Sequence, residues 1–190
     1  FLVGPSLLSP LARSAVLWSS VDRGDYNDAN NWFVGADKIS TGMQLSPVSV
    51  FNLSIPKLKI KKAKVIVGET DLKKSLVGWS TSVSPGSNGS VFVFGHSALP
   101  VFYNPSSYNT IFTHIYDLDY GDKIILDSDG VSYVYEVESK RIVKPDDLSV
   151  LEQRYDSSRL VMITCLPPGT YIYRGVVTAS LVGTWKTMMR

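Results

Sequence analysis

Short apolar or alternating runs recur along this chain between turn signals, and they constrain the fold more than any other feature. The runs are Val48 to Ile55, Leu58 to Val67, Val91 to Phe94, Lys123 to Leu126, Tyr133 to Val143, Leu160 to Cys165 and Arg174 to Val182. Their length and their β-branched and aromatic content predict strands. Ser84-Pro85-Gly86-Ser87-Asn88-Gly89 and Asp127-Ser128-Asp129-Gly130 have the residues that tight reversal needs. Two stretches depart from this pattern. Ser107 to Leu118 spaces Tyr108, Ile111, Phe112, Ile115 and Leu118 by three and four, and Asp146 to Gln153 begins with acids, so both predict short helices beside a mainly β body.

At 190 residues the chain suits one domain with an extension better than two domains. Apolar residues make up 44% and charged ones 19%, a globular balance, and a net charge of +2 gives no argument for nucleic acid. From Asp22 to Gln44 the composition turns polar and rich in glycine and asparagine, so residues 1–45 are expected as an N-terminal extension and 46–190 as the domain. Phe1 to Arg13 is apolar but broken by Pro5 and Pro10 and too short to span a bilayer. It reads as an anchor or signal remnant or, equally, as a strap packed on the domain.

Chemistry concentrates on the single cysteine. Cys165 closes the run Leu160 to Thr164, and Arg174 follows nine residues later. If the two runs pair as antiparallel strands, Arg174 returns opposite Cys165, where a fixed cation favours the thiolate and its fork can hold a developing oxyanion. His96 emerges after Val91-Phe92-Val93-Phe94-Gly95, where a buried strand ends, and can give a proton to a departing amine. Each residue also has a plainer reading: a buried structural cysteine, or a hydrogen-bonded histidine at a strand end. His114, the other histidine, reads as a surface or packing residue. Lys57, Lys59 and Lys61 alternate with Leu58 and Ile60 as on a solvated strand face, to which Lys62 and Lys64 add. The second reading of these lysines is attraction to an anionic membrane or wall polymer. Asp127 and Asp129 imitate the start of a calcium loop but lack its remaining ligands, so they read as a turn, and no calcium site or other cofactor is expected.

With these residues in place the chain resembles the sortases, cysteine transpeptidases of mainly Gram-positive surfaces, from about Ile55 to Val182. The resemblance rests on Ile55-Pro56-Lys57-Leu58, Phe94-Gly95-His96-Ser97 with Leu99-Pro100, Gly121-Asp122-Lys123-Ile124, Ile163-Thr164-Cys165, and Arg174. The nine-residue step to Arg174, with Pro167 inside it, is closest to the pilus-building and housekeeping branches. The resemblance implies an eight-stranded closed β-barrel with one or two short helices. It also implies attack by Cys165 after the threonine of a Leu-Pro-x-Thr-Gly-like sorting signal, His96 as acid and base, and Arg174 at the oxyanion. Thr164 and Ser97 are implied on the substrate or oxyanion side. The acceptor would be an amine of a cell-wall precursor or a pilin lysine, and the place the outer face of the cell membrane, with an N-terminal anchor in the full-length protein. Asp28 to Phe33 vaguely resembles the aromatic lid of pilus-building members, with Trp32 and Phe33 as its lid residues, but its spacing does not match closely, and packing on the barrel is the plainer reading. Among other classes, cysteine L,D-transpeptidases carry arginine two residues after cysteine. Papain-like hydrolases place cysteine early, at a helix start. A β-barrel binding module with an inert cysteine stays open.

Overall fold

Alternation turns each strand into two faces, and two apolar clusters fill those faces. A computed structural model describes residues 25–36 and 49–186. The strands are β1 (Val50–Ile55), β2 (Ile60–Val67), β3 (Leu76–Gly78), β4 (Gly89–Phe94), β5 (Lys123–Ser128), β6 (Val131–Val143), β7 (Ser158–Leu166) and β8 (Tyr173–Lys186). They close into a barrel in the order β1-β2-β3-β4-β7-β8-β6-β5. The expected eight-stranded barrel is therefore present. The sequence pattern passed over β3, whose three residues are too few to show a period.

Inside the barrel one cluster takes residues from every strand, among them Leu53, Val65, Val93, Leu126, Tyr135 and Met162. The second cluster lies on the outer face of β4, β7 and β8, and includes Phe92, Phe94, Val161, Ile163, Cys165 and Val176. β4 is buried at all six positions because it runs parallel to β7 with a cluster on each side, which explains why Val91 to Phe94 is continuously apolar.

The expected helices are 3-10 turns. Between Ser107 and Leu118 the amides of Thr110, Thr113, Asp117 and Leu118 bond carbonyls three residues back, and only Ile115–Asp117 is a regular 3-10 helix. The hydroxyls of Thr110 and Thr113 compete for local carbonyls, those of Asn104 and Thr110, which favours the tighter turns. The apolar spacing still serves its purpose, since Ile111, Phe112, Ile115 and Leu118 plug the interior cluster. Asp146 to Gln153 likewise holds a 3-10 helix, Leu148–Leu151, capped by the Asp147 carboxylate on the Ser149 amide.

The lysine run also differs from simple alternation. Pro56–Leu58 is a 3-10 turn, and β2 begins at Ile60 with a bulge that leaves both Lys61 and Lys62 exposed before Ala63 turns inward. Lys59 and Lys62 take left-handed backbone angles, φ 56° and 48°. The Asp127 to Gly130 turn joins β5 to β6 as expected.

Residues 25–36 do not run free of the barrel. The Ala29 amide donates to the Thr70 carbonyl and the Leu72 amide to the Asn27 carbonyl, an antiparallel bridge to the loop between β2 and β3. After the 3-10 turn Ala29–Trp32 the Val34 amide donates to the Pro145 carbonyl. The segment is thus a strap tied at both ends across the outer cluster. The expectation for Phe1 to Arg13 lies outside the described residues, among which no helix is long and apolar enough to cross a membrane.

Candidate active site

Pairing of β7 with β8 sets Cys165 opposite Arg174, as the spacing predicts. The short loop Pro167 to Ile172 makes this register possible, because it returns the chain in a tight turn closed by the Thr170 amide and hydroxyl on the Pro167 carbonyl. His96 reaches the same end from β4. The Gly95 amide donates to the Ile163 carbonyl, and a side chain at position 95 would collide with Phe112 and Leu76, so the turn that presents His96 requires glycine.

Ser97 and Thr164 join the two strand ends. The Ser97 hydroxyl donates to the Cys165 carbonyl at 2.7 Å and the Thr164 hydroxyl to the Gly95 carbonyl at 2.9 Å. Thr164 is wholly buried, so its hydroxyl locks the frame, leaving only its backbone for an oxyanion. Ser97 fixes the main chain of the nucleophile.

The strap covers this corner. Trp32 is fully buried, with its ring edge-on to Phe94 and 5.9 Å from the His96 ring. Its indole N–H donates to the Tyr26 carbonyl, and Tyr26 stacks on Tyr171 at 3.9 Å. The Trp32 carbonyl accepts from Arg174 Nε at 2.9 Å, while Arg174 Nη1 donates to the Tyr171 and Tyr173 carbonyls. The guanidinium also lies over the Trp32 and Phe33 rings, 5.6 and 5.9 Å from their centres.

Under this cover Cys165 is 2% exposed and Arg174 1%. Burial pushes the thiol up to about 11, and the guanidinium only partly opposes it. Burial also holds His96 below its usual range, aided by Lys73 and opposed by Asp71 and Asp25. Its Nε2 is buried without a hydrogen-bond partner among the described residues. The site as folded is a neutral thiol, a neutral imidazole and a bound guanidinium beneath a strap. His114 stands apart, paired to Asp117 and packed on Tyr103, as its packing role predicts.

Further along the outer face of β4, β7 and β8 lies a concavity of about 250 Å³ lined by Phe92, Val150, Val161 and Val176 and by charged residues including Glu138, Arg141, Glu152, Arg154 and Arg159; Cys165, His96 and Arg174 are not in its lining. The resemblance implies a peptide groove floored by the strands that carry Cys165 and Arg174; sequence reasoning passed over the charged rim of this concavity and the Tyr26–Tyr171 stack. Tyr26 lies just outside the aromatic island, and nothing local in the sequence pairs it with Tyr171.

The description "Sortase domain" matches residues 53–182. The chain is 27% identical over 176 residues to Sortase A of Bacillus anthracis, covering 87% of this chain and 79% of that one. It is 26% identical over 117 residues to Sortase D of Bacillus subtilis, covering 60% of this chain, and the match spans 53%, about half, of that protein's length. Its fold is similar to sortase C-3 of Streptococcus pneumoniae, with TM-score 0.64, 22% identity and coverage of 94% and 82% of the two chains. Sortase A of Corynebacterium diphtheriae aligns with TM-score 0.63, 24% identity and coverage of 92% and 86%. A motif order read from the sequence, an eight-stranded barrel and a domain match over most of the chain therefore agree: the chain belongs to the sortase family.

Proposed function

We propose that this chain is a cysteine transpeptidase that cleaves a Leu-Pro-x-Thr-Gly-like sorting signal after threonine and transfers the acyl group to an amine. The observation that carries the proposal is the facing pair Cys165 and Arg174, with His96 on the adjoining strand end. Extended chain rises about 3.3 Å per residue, so four substrate residues reach about 13 Å along the floor, the span from Cys165 to Val161. The leucine and proline of such a signal would then lie over Val161, Val176 and Phe92.

In the first half-reaction the Cys165 sulfur forms a bond to the threonine carbonyl carbon and the thiol proton passes to His96. Arg174, with the backbone of Thr164, faces the resulting oxyanion. Collapse breaks the peptide bond, and His96 returns the proton to the leaving amine. In the second half His96 takes a proton from the incoming amine, which attacks the thioester and frees the thiol. The acceptor is an amine of a cell-wall precursor or a pilin lysine, the cargo a surface protein or pilin, and the setting the outer face of the cell membrane with an N-terminal anchor.

The strap 25–36 acts as a lid in this reading. It holds Arg174 through a peptide carbonyl, and substrate would have to displace that carbonyl to reach the guanidinium. Trp32 and Phe33 supply its apolar weight. The test is turnover of a fluorogenic Leu-Pro-x-Thr-Gly peptide library with and without an amine acceptor. Cleavage that rises or changes product with amine, and is abolished in Cys165→Ala, is expected. Turnover that survives Cys165→Ala would overturn the proposal.

A further inference from the structure

On the barrel wall, a second concave site has the chemistry of a charged ligand. It measures about 560 Å³, and its lining includes Asn52, Lys62, Asp127, Asp129, Trp185 and Lys186. None of these residues is shared with the concavity at Phe92 and Val161. Register explains how they meet. Lys64 pairs with Asn52, Asn52 with Asp127, Asp127 with Ser132, and Ser132 with Trp185, one row of neighbours across β2, β1, β5, β6 and β8.

Three observations bear on what this row would hold. Lys57 is neutralised by Asp119 and Asp122, whereas Lys59, Lys61, Lys62, Lys64 and Lys186 make no ion pair among the described residues. All five are exposed; Lys62 and Lys186 line the concavity, and Lys64 pairs with Asn52, which also lines it. Lys59, Lys62 and Asp129 are the non-glycine residues with positive φ among the described residues, and two of them line the site. The bulge at Lys62, held by its amide on the Ser54 hydroxyl, keeps that side chain outward where simple alternation would not. Third, Trp185 is 53% exposed, an aromatic face beside carboxylates and an amide that can accept hydrogen bonds from hydroxyls.

We infer that this face binds a phosphodiester-linked polyol or sugar polymer, the lysines meeting its phosphates and Trp185, Asp127, Asp129 and Asn52 its hydroxyl-bearing units. A flexible polymer segment fits better than an anionic bilayer, because it can enter a recess of about 560 Å³ and set hydroxyls on Asp127 and Asp129 while its phosphates meet the lysines beside them, whereas a flat headgroup surface cannot follow the recess. That such a polymer lies within reach rests on the cell-surface setting proposed above. The binding itself does not use Cys165.

The test is calorimetric titration of the chain with poly(glycerol phosphate) oligomers at about 50 mM and about 250 mM salt, where screening separates charge from contact. Saturable binding that weakens about tenfold at the higher salt is expected. Lys62→Glu with Lys64→Glu should weaken it at least about tenfold, and Trp185→Ala about threefold, with melting temperatures checked to confirm folding. Lys123→Glu, a charge reversal outside the concavity, should leave binding within about twofold. Cys165→Ala should bind as the unaltered chain does, and the lysine pair variant should turn over soluble peptide at the normal rate, so failure of the catalytic proposal would leave this readout intact. Absence of saturable binding, or equal weakening by Lys123→Glu, would overturn the inference. So would binding to phosphatidylglycerol vesicles that the oligomer does not compete away, which would assign the face to a membrane.

Discussion

Cys165 is the proposed nucleophile, yet burial raises its thiol from an ordinary value near 9 to about 11. An acid whose folded pKa lies above its unfolded value is held protonated by the fold. Its contribution to stability is full below about pH 9 and is lost as pH rises through 11. Two pH units correspond to about 3 kcal/mol at most. Denaturant titrations at about pH 8 and about pH 11 should therefore show the unaltered chain losing on the order of 2 kcal/mol more than Cys165→Ala. Equal losses would mean that the buried thiol ionises as it would in water. Arg174 has a double role at this scale: it binds the strap carbonyl and faces the thiol. Arg174→Lys keeps the charge but loses the fork that reaches the Trp32, Tyr171 and Tyr173 carbonyls. Peptide turnover in that variant should fall by about a hundredfold or more, as when an oxyanion donor is removed. A loss below about threefold would show that charge alone suffices.

Among the elements, the strap is proposed to govern access. Its hold on the barrel is apolar, through Ala29, Trp32, Phe33 and Ala36, supplemented by the bridge to Thr70 and Leu72 and by the Tyr26–Tyr171 stack. Removing the Trp32 side chain takes away burial worth on the order of 2–3 kcal/mol, which favours opening by at least about tenfold. Trp32→Ala should therefore accelerate iodoacetamide labelling of Cys165 by about tenfold or more while circular dichroism stays unchanged. An unaltered labelling rate would show that the strap does not control the thiol. The sequence made the aromatic island visible, but not its landing points, because Pro145 and Thr70 bond the strap through backbone atoms that any residue would supply. β3 and the β2 bulge escaped for related reasons: three residues show no period, and a bulge is set by Lys62 taking a left-handed angle that lysine rarely favours.

At the scale of the whole molecule, the barrel order brings residues distant in sequence to one corner. Parallel pairing of β4 with β7 sets Gly95 against Ile163, and antiparallel pairing of β7 with β8 sets Cys165 against Arg174. That Cys165 faces Arg174 with His96 at a neighbouring strand end was legible beforehand, because the apolar runs mark where the strands end. A peptide groove floored by the strands of Cys165 and Arg174 was expected from the resemblance, but the concavity at Phe92, Val161 and Val176 was not, since these residues read in sequence as ordinary strand core. The fold also gives the site an acid response. His96 is held neutral by burial, a depressed pKa, so its contribution is present above about pH 6.5 and lost as pH falls through the lower folded value. Melting temperature should fall more steeply on acidification for the unaltered chain than for His96→Gln, and parallel curves would contradict this account.

The central claim is that Cys165 becomes acylated by a sorting-signal peptide. The most direct measurement is intact-mass spectrometry of the protein quenched in acid during turnover of a Leu-Pro-x-Thr-Gly peptide without added amine. The account predicts a mass increment equal to the acyl fragment ending at threonine, mapped to Cys165 and released by hydroxylamine. A chain that cleaves the peptide yet carries no adduct on Cys165, or carries it elsewhere, would contradict it.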